Sequence, residues 1–309
     1  MGRTTQEKDG VEECPLIFPE EEIPVIETPR DKNFASITHP LWTEEKALLI
    51  QEYIRLFTLV TKHGTYIDGF AAPQRRDRMD LCSANLVLKT EPKWIRDFWL
   101  CDNAAEGVRL LEEIKRQHDE KGRTINIVPG DFNKTVYDVL SSGAIGEKTA
   151  TFALLDQRTF ECAWSTVKAL ANHKSQTKIE LFYFFATGWI DRSIGAVRRP
   201  ETKAIVERWW GRSDWPKLQG MDGVHRAHLV ADKFTNELGY AYAYPYAIHN
   251  KAMGRRTMYH MIHATDHPDA PDLMRRAYRK IAGCSEIEPQ IQQLDLAEYW
   301  AVGNEDAVG

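Results

Sequence analysis

The chain has 309 residues, 43% of them hydrophobic and 28% charged, enough to bury one large core or one core with a small appendage. Its formal net charge of −5 argues against a surface coated in positive potential for non-specific nucleic-acid binding, and the local clusters Arg75-Arg76-Asp77-Arg78, Arg198-Arg199, Arg255-Arg256 and Arg275-Arg276 read as solvated surface. No stretch approaches the roughly 18 uninterrupted apolar residues of a membrane span, and the opening MGRTTQEKDGVEEC carries no apolar leader, so a cytoplasmic protein without a membrane partner is expected.

Residues 1–34 hold proline and acid clusters with little periodicity, the composition of a partly disordered arm. From Trp42 to about Lys62, apolar residues at Leu48, Leu49, Ile54, Leu56, Phe57 and Val60 predict an amphipathic helix opened by Thr43. Short apolar runs then alternate with helical stretches, the pattern of a parallel sheet with crossover helices. The predicted strands are 65–67 ending at Asp68-Gly69-Phe70, 97–101 ending at Asp102, 125–128 ending at Pro129-Gly130-Asp131, 151–155 ending at Asp156, and 178–185. Helices are expected at 83–89, 104–118, 136–140 and 163–172. Residues 190–239 read as a helical insertion rich in tryptophan (Trp209, Trp210, Trp215) packed beside the sheet. Runs 240–248 and 257–264 are spaced as an antiparallel strand pair joined by the basic turn 250–256. The expected domain covers 35–285, with 286–309 as a tail.

Four successive strands that end on an aspartate place Asp68, Asp102, Asp131 and Asp156 at the carboxyl edge of one sheet, where open parallel sheets bind ligands. A nucleoside cofactor needs carboxylates for its ribose hydroxyls and exocyclic amine and a turn of small residues where backbone approaches closely. Asp102 stands where a ribose-binding acid would sit, and Asp131 where an adenine-amine acceptor would sit, with Phe132 able to stack. Each aspartate is also suited to capping the helix after it. The turn Asp68-Gly69-Phe70-Ala71-Ala72-Pro73-Gln74 lacks the GxGxxG glycines, which disfavours a dinucleotide site, and Ala72 and Gln74 narrow the room beside a ligand. The terminal antiparallel pair distinguishes a methyltransferase-type sheet from a dinucleotide dehydrogenase. The fold class expected is therefore α/β, a doubly wound, mostly parallel sheet of class I methyltransferase type, with a C-terminal antiparallel pair and a helical insertion.

The string Tyr66-Ile67-Asp68-Gly69-Phe70-Ala71-Ala72-Pro73, preceded by His39 to Lys46 (HPLWTEEK), resembles the three-Cys-motif partner (TcmP) family, whose pattern is roughly HTxxK followed by YIDGFAGPG. Trp209-Trp210-Gly211 with Trp215 is similar to that family's aromatic-Gly-x-x-x-Trp segment, and Met258 to Pro268 to its YYLIFATxHP strand. The resemblance spans about residues 35 to 280. It implies a methyltransferase-like fold and a partner protein carrying three cysteines, while S-adenosylmethionine is the cofactor of the methyl-transfer reading, with the glycine-poor turn standing against it. The chain departs from the pattern at Ala72-Pro73-Gln74, where the family has GPG, and at Asp156-Gln157-Arg158-Thr159, where it has a DPFG-like sequence. Both lie where cofactor and acceptor would meet.

Methyl transfer is the leading expectation, with Asp68, Gly69, Phe70, Ala72, Asp102, Asp131 and Phe132 holding the cofactor and Asp156 as the catalytic residue that orients the acceptor, a role as base being left open. The acceptor is open between a nucleic acid and a small molecule. Arg158 makes an anionic acceptor conceivable. The alternative is a repurposed scaffold acting through a partner protein, with the tryptophan-rich insertion as interface. A metal centre at His260, His263, Asp266 and His267 is disfavoured because residues three apart on a strand point to opposite faces. The five cysteines (Cys14, Cys82, Cys101, Cys162, Cys284) are scattered, without a CxxC pair, and read as reduced thiols.

Overall fold

The computed structural model describes residues 44–73, 76–250 and 256–282. The expected N-terminal arm, the Thr43 cap, Gln74, the basic turn between the last two strands and the C-terminal tail lie outside those residues.

The strands are β1 (Gly64–Asp68), β2 (Ile95–Asp102), β3 (Thr124–Pro129), β4 (Thr151–Leu155), β5 (Glu180–Phe185), β6 (Tyr242–Asn250) and β7 (Arg256–Thr265). The helices are α1 (Glu44–Thr61), α2 (Ser83–Leu88), α3 (Ala105–Gln117), α4 (Phe132–Ser141), α5 (Trp164–Ala171), α6 (Thr187–Gly195), α7 (Pro200–Trp210), α8 (Gly223–Asn236) and α9 (Ala270–Ala282). Each strand expected from an apolar run is present, and helix α4 begins four residues before the expected 136 because Asp131 caps it, accepting from the amide of Asn133 at 3.0 Å. Among the described residues, no helix is long and apolar enough to cross a membrane.

All seven strands form one sheet in the order β3-β2-β1-β4-β5-β7-β6. Strands β1 to β5 run parallel, while β7 pairs antiparallel with both β5 and β6. The doubly wound, mostly parallel sheet with an antiparallel end is thus the one expected. Helices cover both faces, which is why β1, β4 and β5 are buried at every position and read as unbroken apolar runs.

The period of two along each strand divides the core. Ile67, Ala153, Leu155, Leu181, Tyr183 and Phe185 face α4, α5, α7 and α8, while Tyr66, Phe98, Leu100, Phe152, Leu154, Phe182 and Phe184 face α1, α2, α3 and α9. Continuing that alternation puts Asp68, Asp102 and Asp156 on the α1 face.

The tryptophans of the helical segment do not supply the surface anchors a partner interface would use. Trp209, Trp210 and Trp215 are buried in the core, Trp209 stacking on Phe185 with ring centroids 6.2 Å apart. Lys233 lies over Trp210 and Trp164, at 4.0 Å and 4.4 Å, and binds Glu237 at 3.0 Å. Buried Arg226 donates to the carbonyls of Leu218, Thr187 and Met221, tying the segment to the start of α6. Aromatic content here reports packing.

Candidate functional site

The order of strands reverses between β1 and β4, and a crevice opens beyond their carboxyl ends as the switch-point rule requires. The cleft has a volume of about 240 Å³. Backbone bonds hold its floor: Gly69 N–H donates to the Leu154 carbonyl at 3.0 Å, Ala71 N–H to Cys101 at 2.9 Å, and Gly130 N–H to Asp102 at 2.8 Å. The turn after β1 is therefore pinned to β4 on one side and β2 on the other.

Of the residues expected to form the site, Gly69, Phe70, Ala72, Asp102, Asp131, Phe132 and Asp156 line this cleft. Asp68 does not. It is 1% exposed and lies beneath, accepting from the Phe70 amide at 3.1 Å and from the Tyr66 hydroxyl at 3.2 Å. Its place is to shape the turn, because its carboxylate is taken up by the turn's own Phe70 amide and by Tyr66 of β1. Burial, reinforced by the charge of Asp156, raises its pKa to about 7.

Asp102 is half-buried and accepts from the amides of Ala104, at 2.8 Å, and Ala72. A carboxylate offers about four lone-pair sites, so acceptor capacity remains for a pair of hydroxyls. Burial raises its pKa. Asp131 is exposed and spends one oxygen on the Asn133 amide and side chain. The capping alternative therefore holds for Asp131 alone, since Asp102 precedes the α3 cap position and Asp156 is far from α5. Phe132 is 2% exposed, its ring meeting Phe70 edge-on at 6.0 Å, so it walls the cleft and offers little surface for stacking.

The small residues are arranged differently from a glycine-rich loop. A Cβ on Gly69 would lie 2.6 Å from the Phe132 ring, so this position admits only glycine without displacement. A Cβ on Gly107, in the first turn of α3, would lie 2.5 Å from Asp102 Oδ1 and 2.7 Å from Ala72 Cβ. Glycine costs about 1 kcal/mol against alanine in a helix. Here it gives room to Ala72, which the turn has in place of glycine.

Arg158, named from the sequence for an anionic acceptor, lines the cleft, and Asn103, Asn133, Glu161 and Arg208, which the sequence did not single out, complete it. Asn133 joins the loops after β3 and β4, donating to the Glu161 carbonyl and accepting from the Ala163 amide and Thr166 hydroxyl. Burial raises the pKa of Glu161, partly offset by Arg158. Asp156 is bonded to Lys46, Nζ to Oδ2 at 2.6 Å, and its Oδ1 has no hydrogen-bond partner among the described residues. Lys46 has no signal in the sequence beyond its place in the HPLWTEEK segment.

The histidines do not converge. His260 bonds Thr187 at 2.6 Å, whereas His263 bonds Glu180 at 2.8 Å on the other face of β7. Cys162 is buried and its thiol pKa is pushed up by that burial, which leaves it unreactive.

No protein-family model and no curated protein matches the chain. Among solved structures, TYW2 of M. jannaschii in complex with AdoMet matches with 12% identity and a TM-score of 0.36 over 73% of this chain and 76% of that one. Trm1 from Pyrococcus horikoshii with S-adenosyl-L-methionine matches at 13% identity and a TM-score of 0.40, over 75% of this chain and 58% of that one. Trm5b from Pyrococcus abyssi matches at 12% identity and a TM-score of 0.34, the chain spanning 47% of its length. The fold assignment rests on strand order and not on these likenesses. By its sheet, 3-2-1-4-5-7-6 with an antiparallel end and a cleft at the β1/β4 switch, the chain has a class I methyltransferase-like fold.

Proposed function

We propose that the chain is an S-adenosylmethionine-dependent methyltransferase of the TcmP type, with its cofactor in the cleft beyond β1 to β4. The observation that carries this reading is the half-buried Asp102 at the end of β2, with acceptor capacity to spare, at the switch point of a methyltransferase-type sheet. The lining fits the group. Asp102, Asp131, Asp156 and Glu161 outnumber Arg158 and Arg208, which suits a cationic sulfonium. The volume is a little below the roughly 300 Å³ at which drug-sized pockets begin, and suits the nucleoside part of such a ligand.

When bound, the cofactor supplies an electrophilic methyl group. Asp102 accepts hydrogen bonds from the ribose hydroxyls, Asp131 stands at the adenine edge, and Gly69 and Phe132 bound the space between. Asp156 orients the acceptor, which is a nucleic acid or a small molecule. Positioning supplies much of the rate, as it does for transfers that need no covalent help from the protein. A three-cysteine partner protein completes the reading.

The competing reading is a scaffold that has lost the cofactor and works through its partner. It draws on the glycine-poor turn and on Asp131 being engaged as a cap.

Calorimetric titration with S-adenosylmethionine and S-adenosylhomocysteine separates the two. Micromolar binding, weakened about 100-fold in Asp102→Ala through the loss of two charge-assisted hydrogen bonds, supports methyl transfer. An Asp131→Ala control is expected to lose less. Absence of binding at millimolar ligand leaves the scaffold.

A further inference from the structure

Lys46 stands in the first turn of α1, where a helix N-terminus disfavours positive charge, and it is 0% exposed. Burying an ammonium is costly unless it is paired, and the sequence accepts both costs at one residue. The ammonium reaches across to Asp156 Oδ2 and lies over the rings of Phe184 and Tyr259, at 5.4 Å and 5.7 Å. This fixes the ammonium from three sides.

Its partner is incomplete. The Asp156 side chain is 10% exposed and lines the cleft, yet Oδ1 is buried without a hydrogen-bond partner among the described residues. A buried carboxylate oxygen left bare is uncommon and calls for a ligand, water or ion to complete it. Asp68 lies close enough to feel the charge of both Asp156 and Lys46, so without the lysine two carboxylates would face each other beneath the cleft.

We infer that Lys46 is a positioning residue for the acceptor: it grips Asp156 Oδ2 and so presents Oδ1 to an N–H or O–H of the group that receives the methyl. The inference rests on the methyl-transfer reading and extends it to a substrate class, an acceptor whose reacting atom is a hydrogen-bond donor, an amine foremost. An acceptor without such a hydrogen leaves Oδ1 unsatisfied.

The test compares two cofactor-site ligands by calorimetry at pH 7.5. S-adenosylhomocysteine has a neutral thioether, whereas sinefungin carries a protonated amine where the methyl group would stand. Wild type is expected to bind sinefungin at least tenfold more tightly. Asp156→Asn and Lys46→Met are expected to bring the two affinities within twofold, the first by removing the carboxylate charge and the second because a carboxylate released from Lys46 is no longer held with Oδ1 toward the ligand. Lys46→Arg is expected to keep most of the preference, and a cooperative thermal melt of each variant shows that the fold is intact. Lys46→Gln stands in if Lys46→Met does not fold. Retention of the wild-type preference without the Lys46 charge overturns the inference, as does equal binding of both ligands by wild type, while the methyl-transfer reading survives. Failure of wild type to bind either ligand overturns both.

Discussion

Two carboxylates are buried against α1 at opposite ends of the sheet, and they differ in how completely they are satisfied. Glu180, at the start of β5, accepts from the hydroxyl of Tyr53, from His263 at 2.8 Å and from Thr265 at 3.2 Å, using both oxygens. Asp156, just past the end of β4, has Lys46 on one oxygen and no partner among the described residues on the other. Lys46 and Tyr53 are seven residues apart, two turns on the same face of α1, so one helix serves both acids across about 10 Å. The completed acid faces packed core, where Nδ1 of its partner His263 is without a hydrogen-bond partner among the described residues, and the incomplete acid faces a cleft. A buried acid completed by its own chain serves the fold, whereas the one left incomplete at a strand's carboxyl end is the one the proposed methyl transfer uses.

The largest test of the contrast is Glu180→Ala. It strands three polar partners in the core and is expected to cost about 3 kcal/mol or more in urea denaturation. S-adenosylhomocysteine affinity of the folded fraction should be unchanged, and a selective loss of ligand binding would break the division between the two sites.

Asp68 sharpens the comparison by pH. Its folded pKa of about 7 lies above the ordinary 3.8, so its contribution to stability is present below about pH 4 and is lost as pH rises through about 7. Asp68→Asn should remove this dependence. Its stability relative to wild type should grow by something on the order of 3 kcal/mol between pH 4 and pH 8. A gap that is flat or shrinks with pH contradicts the burial of an acid there.

A smaller effect is expected from Gly107→Ala. The added methyl must displace Asp102 and Ala72, and ligand affinity should fall by about tenfold, equivalent to about 1.4 kcal/mol. Adding Ala72→Gly should recover part of it. The smallest effect belongs to the open pair itself. Replacing it by apolar residues in Lys46→Met/Asp156→Leu is expected to leave stability unchanged or raise it by about 1 kcal/mol, as measured by thermal denaturation, because buried ion pairs seldom repay their desolvation.

Much of this arrangement was legible in the sequence, for local reasons. Strands buried on both faces read as apolar runs, and the aspartates marked their ends at 68, 102 and 156. What escaped depended on partners distant in sequence. Lys46 and Asp156 are 110 residues apart, and no periodicity links a lysine in a helix to an acid in another element. The burial of Asp68 gave no signal, because the alternation that turns it toward α1 turns Asp102 and Asp156 the same way, and its position at a strand end made it look like its neighbours at 102 and 131. The tryptophans at 209, 210 and 215 were open to the scaffold alternative's interface role because composition does not tell which face of a helix turns inward. Gly107 gave no signal, since its reason is the side chain of Ala72, 35 positions earlier in the chain.

The most direct test of the account is a crystal structure of the chain with S-adenosylhomocysteine bound. The account places the ribose hydroxyls on Asp102, the adenine beside Asp131 and Phe132, and the sulfur toward Asp156, with Lys46 still on Oδ2. A ligand bound away from Asp102, or an Asp156 carboxylate turned from the cleft, would contradict it.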